Sequence, residues 1–261
     1  MPRPLALTLE SLQLPLRAGL TTAARLGARG LAFSAVGPLA PEQLSATGRR
    51  EVRHLFAAAQ LQLPALHCPL RHGLDELEGL ERRLERLRAA LQLGRDLGAG
   101  CVTLAAGVVP ADVHQPTYLR LRQAVGDLAR WADRIGTRLA LLAGGEPVAR
   151  LVDFVRGLDL GCVGLTVDPA LLLTHQLDPV DSLRTAGELL ALFVARDARP
   201  RRLERDAQEV NLGAGDVDWF AVAAVLEEIR YQGWVVTQRG PTPDPPAAAA
   251  AALAFLKRLG L

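Results

Sequence analysis

The sequence predicts a single α/β domain closed as a (β/α)8 barrel. Short apolar strands alternate with longer helical patterns, and eight such units fit within the 261 residues. No Gly-x-Gly-x-x-Gly turn follows the first strand, where "ESLQLPLRAG" stands instead, which argues against an open dinucleotide-binding sheet. Apolar residues make up 49% of the chain, enough for a full core in one domain spanning 1–261, and no linker divides it.

In chain order, the expected strands begin with "LALTL" from Leu5, "GLAFS" from Gly30 and "LPALH" from Leu63. The stretch "LEGLERRLERLRAALQLGRDLGA" follows, with apolar residues every three or four positions and arginines and acids on the other face, as an amphipathic helix requires. "CVTLA" from Cys101 leads into a second such helix, "YLRLRQAVGDLARWADRIG", and then "RLALL" from Arg138. "VGLTV" from Val163, "LFVAR" from Leu192 and "GWVVT" from Gly233 complete the eight. Most lack polar alternation, as strands buried on both faces do. A charged excursion, "RPRRLERDAQ" from Arg199 to Gln208, and the proline-rich "GPTPDPPAAAAAA" follow strands seven and eight. Both fall on the face where barrels keep their sites, so both are expected at the rim.

Composition excludes several classes of function. A formal charge of +2 is too slight for a nucleic-acid or acidic-membrane surface. Cys68, Cys101 and Cys162 are odd in number and form no CxxC pair, which argues against a disulfide framework or a zinc knuckle and fits the cytoplasm. Glu10 and Arg17 interrupt the apolar residues of the N-terminal stretch, so neither a signal peptide nor a membrane span is expected there. Lys257, the single lysine, sits on an amphipathic C-terminal helix, which argues against Schiff-base chemistry.

The stretch Val210 to Gly240, "VNLGAGDVDWFAVAAVLEEIRYQGWVVTQRG", resembles the ending of xylose isomerase-like TIM barrels, the sugar phosphate isomerase and epimerase superfamily. It carries a GxG turn, an Asp-Trp helix start, an apolar helix, Tyr-x-Gly and a final strand. "LPALHCP", "LGAGCVTLAAG", "TVDPALLLTHQLDP" and "LFVARDARP" stand upstream in the matching order, so the resemblance covers nearly the whole chain. It implies a divalent metal held by Glu, Asp, His and Glu at the ends of strands five to eight. Here those positions carry Leu142, Asp168, Val194 and Gln238, and the histidine often found three residues after the aspartate is Leu171. Asp168 alone offers one negative charge to a dication, and a neutral amide at Gln238 adds none. No metal and no other cofactor is therefore expected, unless Glu146 or His175 rebuilds the site.

The candidate substrate-binding residues are His67, Asp168, Arg196, Asp197, Gln238 and Arg239, with Asp168 and His67 the best candidates for catalysis. Each has a plainer alternative. His67 ends strand three, where the resemblance implies a substrate-side histidine, but it could be a rim histidine bonded to backbone. Arg196 and Asp197 form either a strand-end ion pair or, with Arg199, Arg201, Arg202 and Arg239, a site for hydroxyls and phosphate. "GAGDVDW" reads either as a phosphate nest or as a turn capped by Asp216 or Asp218, with Trp219 covering the barrel end; the turn is preferred. The expected function is a repurposed barrel without the family's metal chemistry that binds a sugar-like or anionic small molecule or serves as a partner subunit, with homo-oligomerisation left open. The alternative is an active isomerase or epimerase with a rearranged site.

Overall fold

A computed structural model describes residues 3–200 and 207–261. The strands β1 (Leu5–Thr8), β2 (Gly30–Ser34), β3 (Ala65–His67), β4 (Cys101–Leu104), β5 (Leu139–Leu142), β6 (Val163–Val167) and β7 (Leu190–Ala195) are followed by the pair β8 (Asp197–Pro200) and β9 (Ala207–Val210), then β10 (Val235–Thr237). All but β8 and β9 close into a barrel in the ring order β1-β10-β7-β6-β5-β4-β3-β2. Every neighbouring pair in it is parallel, as the alternating strands and helices require.

Seven crossover helices return the chain from one barrel strand to the next: α2 (Leu16–Arg25), α3 (Ala46–Ala58), α4 (Leu80–Leu97), α5 (Pro116–Ile135), α6 (Val148–Arg156), α8 (Pro179–Ala186) and α9 (Trp219–Glu228). The C-terminal helix α10 (Pro245–Arg258) completes the outer ring. Two short helices, α1 (Leu9–Leu12) and α7 (Pro169–Thr174), turn the chain directly at the ends of β1 and β6. Side-chain oxygens of Ser45, Asp178, Asp218 and Asp244 accept backbone N–H bonds at the starts of α3, α8, α9 and α10, satisfying donors that a helix start leaves free.

Alternation along the strands sorts the core into two compartments. Outward-facing residues such as Leu7, Leu31, Leu66, Val102 and Leu165 pack with the helices in the main apolar layer. Inward-facing Ala6, Ala32, Ala65, Cys101, Ala140, Leu192, Val194 and Val236 form a separate cluster. Five of these eight are alanine or cysteine, too short to fill the barrel axis, so the interior stays hollow toward the C-terminal strand ends. That hollow is the candidate site.

The charged excursion after strand seven is framed by β8 and β9, which pair antiparallel, Asp197 opposite Val210 and Ala198 opposite Glu209, making a hairpin that rises from β7. Arg201 and Arg202 lie outside the described residues. One expectation needs correction. Trp219 does not cover the barrel end; it sits in the layer between sheet and helices, edge-on to Phe193 at 6.4 Å and Phe255 at 5.8 Å, because Phe193 faces outward from β7. Among the described residues no helix is long and apolar enough to cross a membrane.

The close seating of α4 on β4 depends on Gly94, where a Cβ would stand 2.5 Å from Val102 Cγ2. Gly94→Ala should therefore lower the melting temperature although alanine is the better helix former. Gly126→Ala in α5 meets only the flexible end of Arg130, at 3.4 Å. It should raise the melting temperature, by roughly 0.5–1 kcal/mol of stability; thermal unfolding of both variants checks the pair.

Candidate functional site

A cavity of about 250 Å³ opens at the C-terminal ends of the barrel strands. Leu142, Asp168, Leu171, Val194 and Gln238 all line it, so the positions read from the sequence as former ligands do converge at one end of the barrel. The strand pattern explains this: alternate residues of each strand face the axis, Leu142, Asp168, Val194 and Gln238 stand at or just past the last inward position of β5, β6, β7 and β10, and Leu171 follows Asp168 on α7. Gln238 is exposed at the rim, and Leu142, Leu171 and Val194 give that side an apolar surface.

Asp168 is the buried centre of the polar wall. Its Oδ1 accepts from the N–H groups of Ala170 at 3.0 Å and Leu171 at 3.2 Å, capping α7, while Oδ2 accepts from Arg196 Nη1 at 2.9 Å. Burial pushes the carboxyl up from its ordinary value, against the pull of the Arg196 guanidinium and the two amides. For Arg196 burial works downward, and the carboxylates of Asp168 and Glu209 more than reverse it, leaving the group raised. Glu209, on β9 of the hairpin, sits 3.3 Å from both Nε and Nη2 of Arg196. It also accepts from the N–H of Gly240 at 3.2 Å.

On the far side of the ring, His67 ends β3 with Nδ1 3.0 Å from Thr103 Oγ1. Burial lowers its pKa, opposed by the nearby Glu10 carboxylate. Glu10 lines the cavity too, and its Oε1 accepts from the Ser34 N–H at 2.6 Å. Thr166, almost fully buried in the cavity wall, has its Oγ1 without a hydrogen-bond partner among the described residues. A buried hydroxyl left unpaired is costly, so Thr166 marks a place for a ligand or water atom. Sequence reasoning missed Thr166, Glu10 and Glu209. Strand alternation two residues before Asp168 would have turned Thr166 inward; nothing local to Glu209 signals its partners.

The other candidates lie elsewhere. Asp197 is completely buried, and its two oxygens accept from the N–H groups of Ala198, Gly213, Gly215 and Val217 and from Trp219 Nε1. The glycine nest of "GAGDVDW" thus holds an anion, and that anion is Asp197. Asp218 caps α9 through the N–H of Ala221. Arg239 stands outside the cavity, with Nη1 3.6 Å from Glu209 Oε2. His175 is an exposed residue at the C-terminus of α7. Glu146 is buried beyond Gly144 and Gly145, and its carboxyl is pushed up to about 7, chiefly by that burial.

This donor set does not fit a divalent cation. Three of the expected positions are apolar or neutral, and the remaining carboxylate is already engaged by two amides and a guanidinium whose positive charge would repel a metal. Among the described residues no three His, Cys, Asp or Glu side chains group so as to hold a metal.

A family model described as "Xylose isomerase-like TIM barrel" matches residues 20–259. Similar solved structures include a xylose isomerase domain protein from Planctomyces limnophilus, 23% identical, covering 99% of this chain and 98% of that one with a TM-score of 0.88. An L-ribulose 3-epimerase is 17% identical over 99% and 94% of the two chains, with a TM-score of 0.81. A D-psicose 3-epimerase structure obtained in the presence of D-fructose is 18% identical over the whole of both chains, with a TM-score of 0.78. At these identities the likenesses establish the fold. No curated protein matches the sequence.

Two measurements check these assignments. Asp197→Ala would leave five donors without their acceptor, three of them buried (the Ala198 and Val217 N–H groups and Trp219 Nε1), and should cost on the order of 3–5 kcal/mol in denaturant unfolding. Glu146 holds its proton more tightly folded than unfolded, so its stabilising contribution is complete below about pH 4.5 and is lost as pH rises through about 7. Glu146→Gln should therefore gain stability over the parent between pH 5 and pH 8, by on the order of 3 kcal/mol at the alkaline end.

Proposed function

We propose, from the premise that the chain belongs to the xylose isomerase-like TIM barrel family, that its barrel binds a neutral, sugar-like polyhydroxylated molecule without the help of a metal ion. The observation that carries this reading is the ion pair of Asp168 with Arg196, which already neutralises the one family-type acid in the cavity. The remaining polar groups suit hydroxyls. Thr166 offers an unpaired Oγ1, His67 and Gln238 can each donate and accept, and Glu10 accepts. The alanine floor gives a sugar ring an apolar face to lie on.

An anionic ligand is disfavoured on charge. The cavity is lined by two carboxylates, Glu10 and Asp168, against one guanidinium, Arg196, and the lowered pKa of His67 keeps it neutral at pH 7. A phosphate would face an excess of like charge. Neither side-chain oxygen of Asp168 is left unengaged, which bears on the second reading, an active enzyme. One free base, His67, and the Glu10 beside it stand on one side of the ring only. A proton taken from C2 of an aldose would then return on the same face to C1, while the O2 hydroxyl proton passes to the carbonyl oxygen O1, leaving C2 as the new carbonyl. Such a site suits aldose–ketose isomerisation, with Arg196 as electrophile, better than inversion at a single carbon.

Titration calorimetry with neutral hexoses and pentoses, and with their phosphates, tests the proposal. Neutral sugars should bind equally in EDTA and in Mn²⁺, and more tightly than their phosphates. Thr166→Val should weaken them by roughly 2- to 10-fold, the equivalent of about one hydrogen bond. Binding that requires Mn²⁺, or that favours phosphates, would overturn it.

A further inference from the structure

A second cavity, of about 140 Å³, lies outside the barrel, between the outer faces of β1 and β10 and the helix α10. Its walls come from Leu7, Leu212, Ala248, Ala252 and Phe255. It exists because α10 presents alanines where leucines would close the gap: "AAAAAA" from Ala247 to Ala252 cannot reach across to Leu212 in the segment after β9. Phe255 bounds the cavity without filling it, held edge-on by Trp219. An apolar cavity of about this size, roughly 150 Å³, holds a benzene-sized guest.

The charged part of the lining is cationic. Arg239 and Arg258 both contribute, with the amide of Asn211 between β9 and the nest loop. Arg258 lies over the Phe255 ring, its guanidinium carbon 5.9 Å from the ring centroid. The Arg239 backbone is fixed, its N–H donating to Ser11 Oγ at 2.8 Å, while its side chain makes no hydrogen bond among the described residues. Its only carboxylate neighbour among the described residues is Glu209 at 3.6 Å, beyond a direct hydrogen bond, and its buried Nε has no partner there. Two guanidinium groups against one distant, shared carboxylate leave this cavity net positive, the reverse of the balance inside the barrel.

We propose that this cavity is a second binding site, for a small monocarboxylate with a compact apolar body: the body between the alanines of α10 and Leu212, the carboxylate on Arg239 and Arg258. The inference does not rest on the sugar reading of the barrel interior, with which the site shares only Gln238 among the lining residues. Burying one benzene-sized body and pairing one charge supports affinity in the millimolar to high-micromolar range.

The test uses sodium benzoate as probe, with benzyl alcohol and acetate as controls that keep only the body or only the charge, monitored by amide chemical shifts of the full chain. Benzoate should shift Leu7, Leu212, Ala252 and Phe255 saturably, and each control should bind at least 10-fold more weakly. Ala252→Leu, which fills the cavity, should abolish the shifts, Arg258→Gln should weaken them several-fold, and Thr166→Val, inside the barrel, should leave them unchanged. Should Ala252→Leu fail to fold, Ala248→Val fills the same space from the neighbouring turn. Benzoate shifts that persist in the filled variant, that map to the barrel interior, or that benzyl alcohol reproduces at equal concentration would overturn the assignment.

Discussion

The ion pair between Asp168 and Arg196 is the constraint on which the barrel mouth depends. A carboxylate buried at the end of a β-strand must be neutralised or paired, since an isolated buried charge costs several kcal/mol or more. In this chain the positive charge is built in. Arg196 reaches across from the end of β7, helped by the register shift between β6 and β7, and its guanidinium meets the Asp168 oxygen that the α7 amides leave free. The surrounding positions can then be apolar. Leu142, Leu171 and Val194 are compatible with a paired aspartate and would be incompatible with a hydrated dication.

From that pair the structure extends outward in steps. Arg196 carries more donors than Asp168 can use, and Glu209 engages Nε and Nη2, which ties the β8–β9 hairpin to the barrel. Glu209 in turn accepts from Gly240, so the turn after β10 is held by the same carboxylate. One residue along from Arg196, Asp197 faces the opposite way and organises the glycine loop and Trp219 behind the sheet. Two adjacent residues thus serve two compartments, one wet and one dry, by the alternation of a single extended segment.

Much of this was legible in the sequence. The eight strands, their parallel order and the convergence of Leu142, Asp168, Val194 and Gln238 follow from apolar strand pattern and side-chain parity, which are local properties. The partner of Arg196 was not legible, because it depends on how far β7 is displaced against β6. The "GAGDVDW" loop was read as either a nest or a turn, and it is both: the glycine amides do gather around an anion, but one supplied by a residue sixteen to eighteen positions earlier. Glu209 escaped notice for the same reason, its role being set by a hairpin that brings it beside Arg196. The cavity under α10 was invisible for a different reason: an alanine run reads as a good helix, and only the distance to its neighbours shows that it is too thin.

The most direct measurement is a double-mutant cycle on the central pair, Asp168→Asn, Arg196→Gln and both together, followed by denaturant unfolding in the presence of EDTA and again with Mn²⁺. Each single change should cost several kcal/mol, on the order of 3–5 for loss of one partner of a buried pair, and the double variant should recover much of that loss, with no dependence on Mn²⁺. Costs that simply add, or a parent protein that Mn²⁺ stabilises through Asp168, would mean that the guanidinium is not the charge that holds this site together.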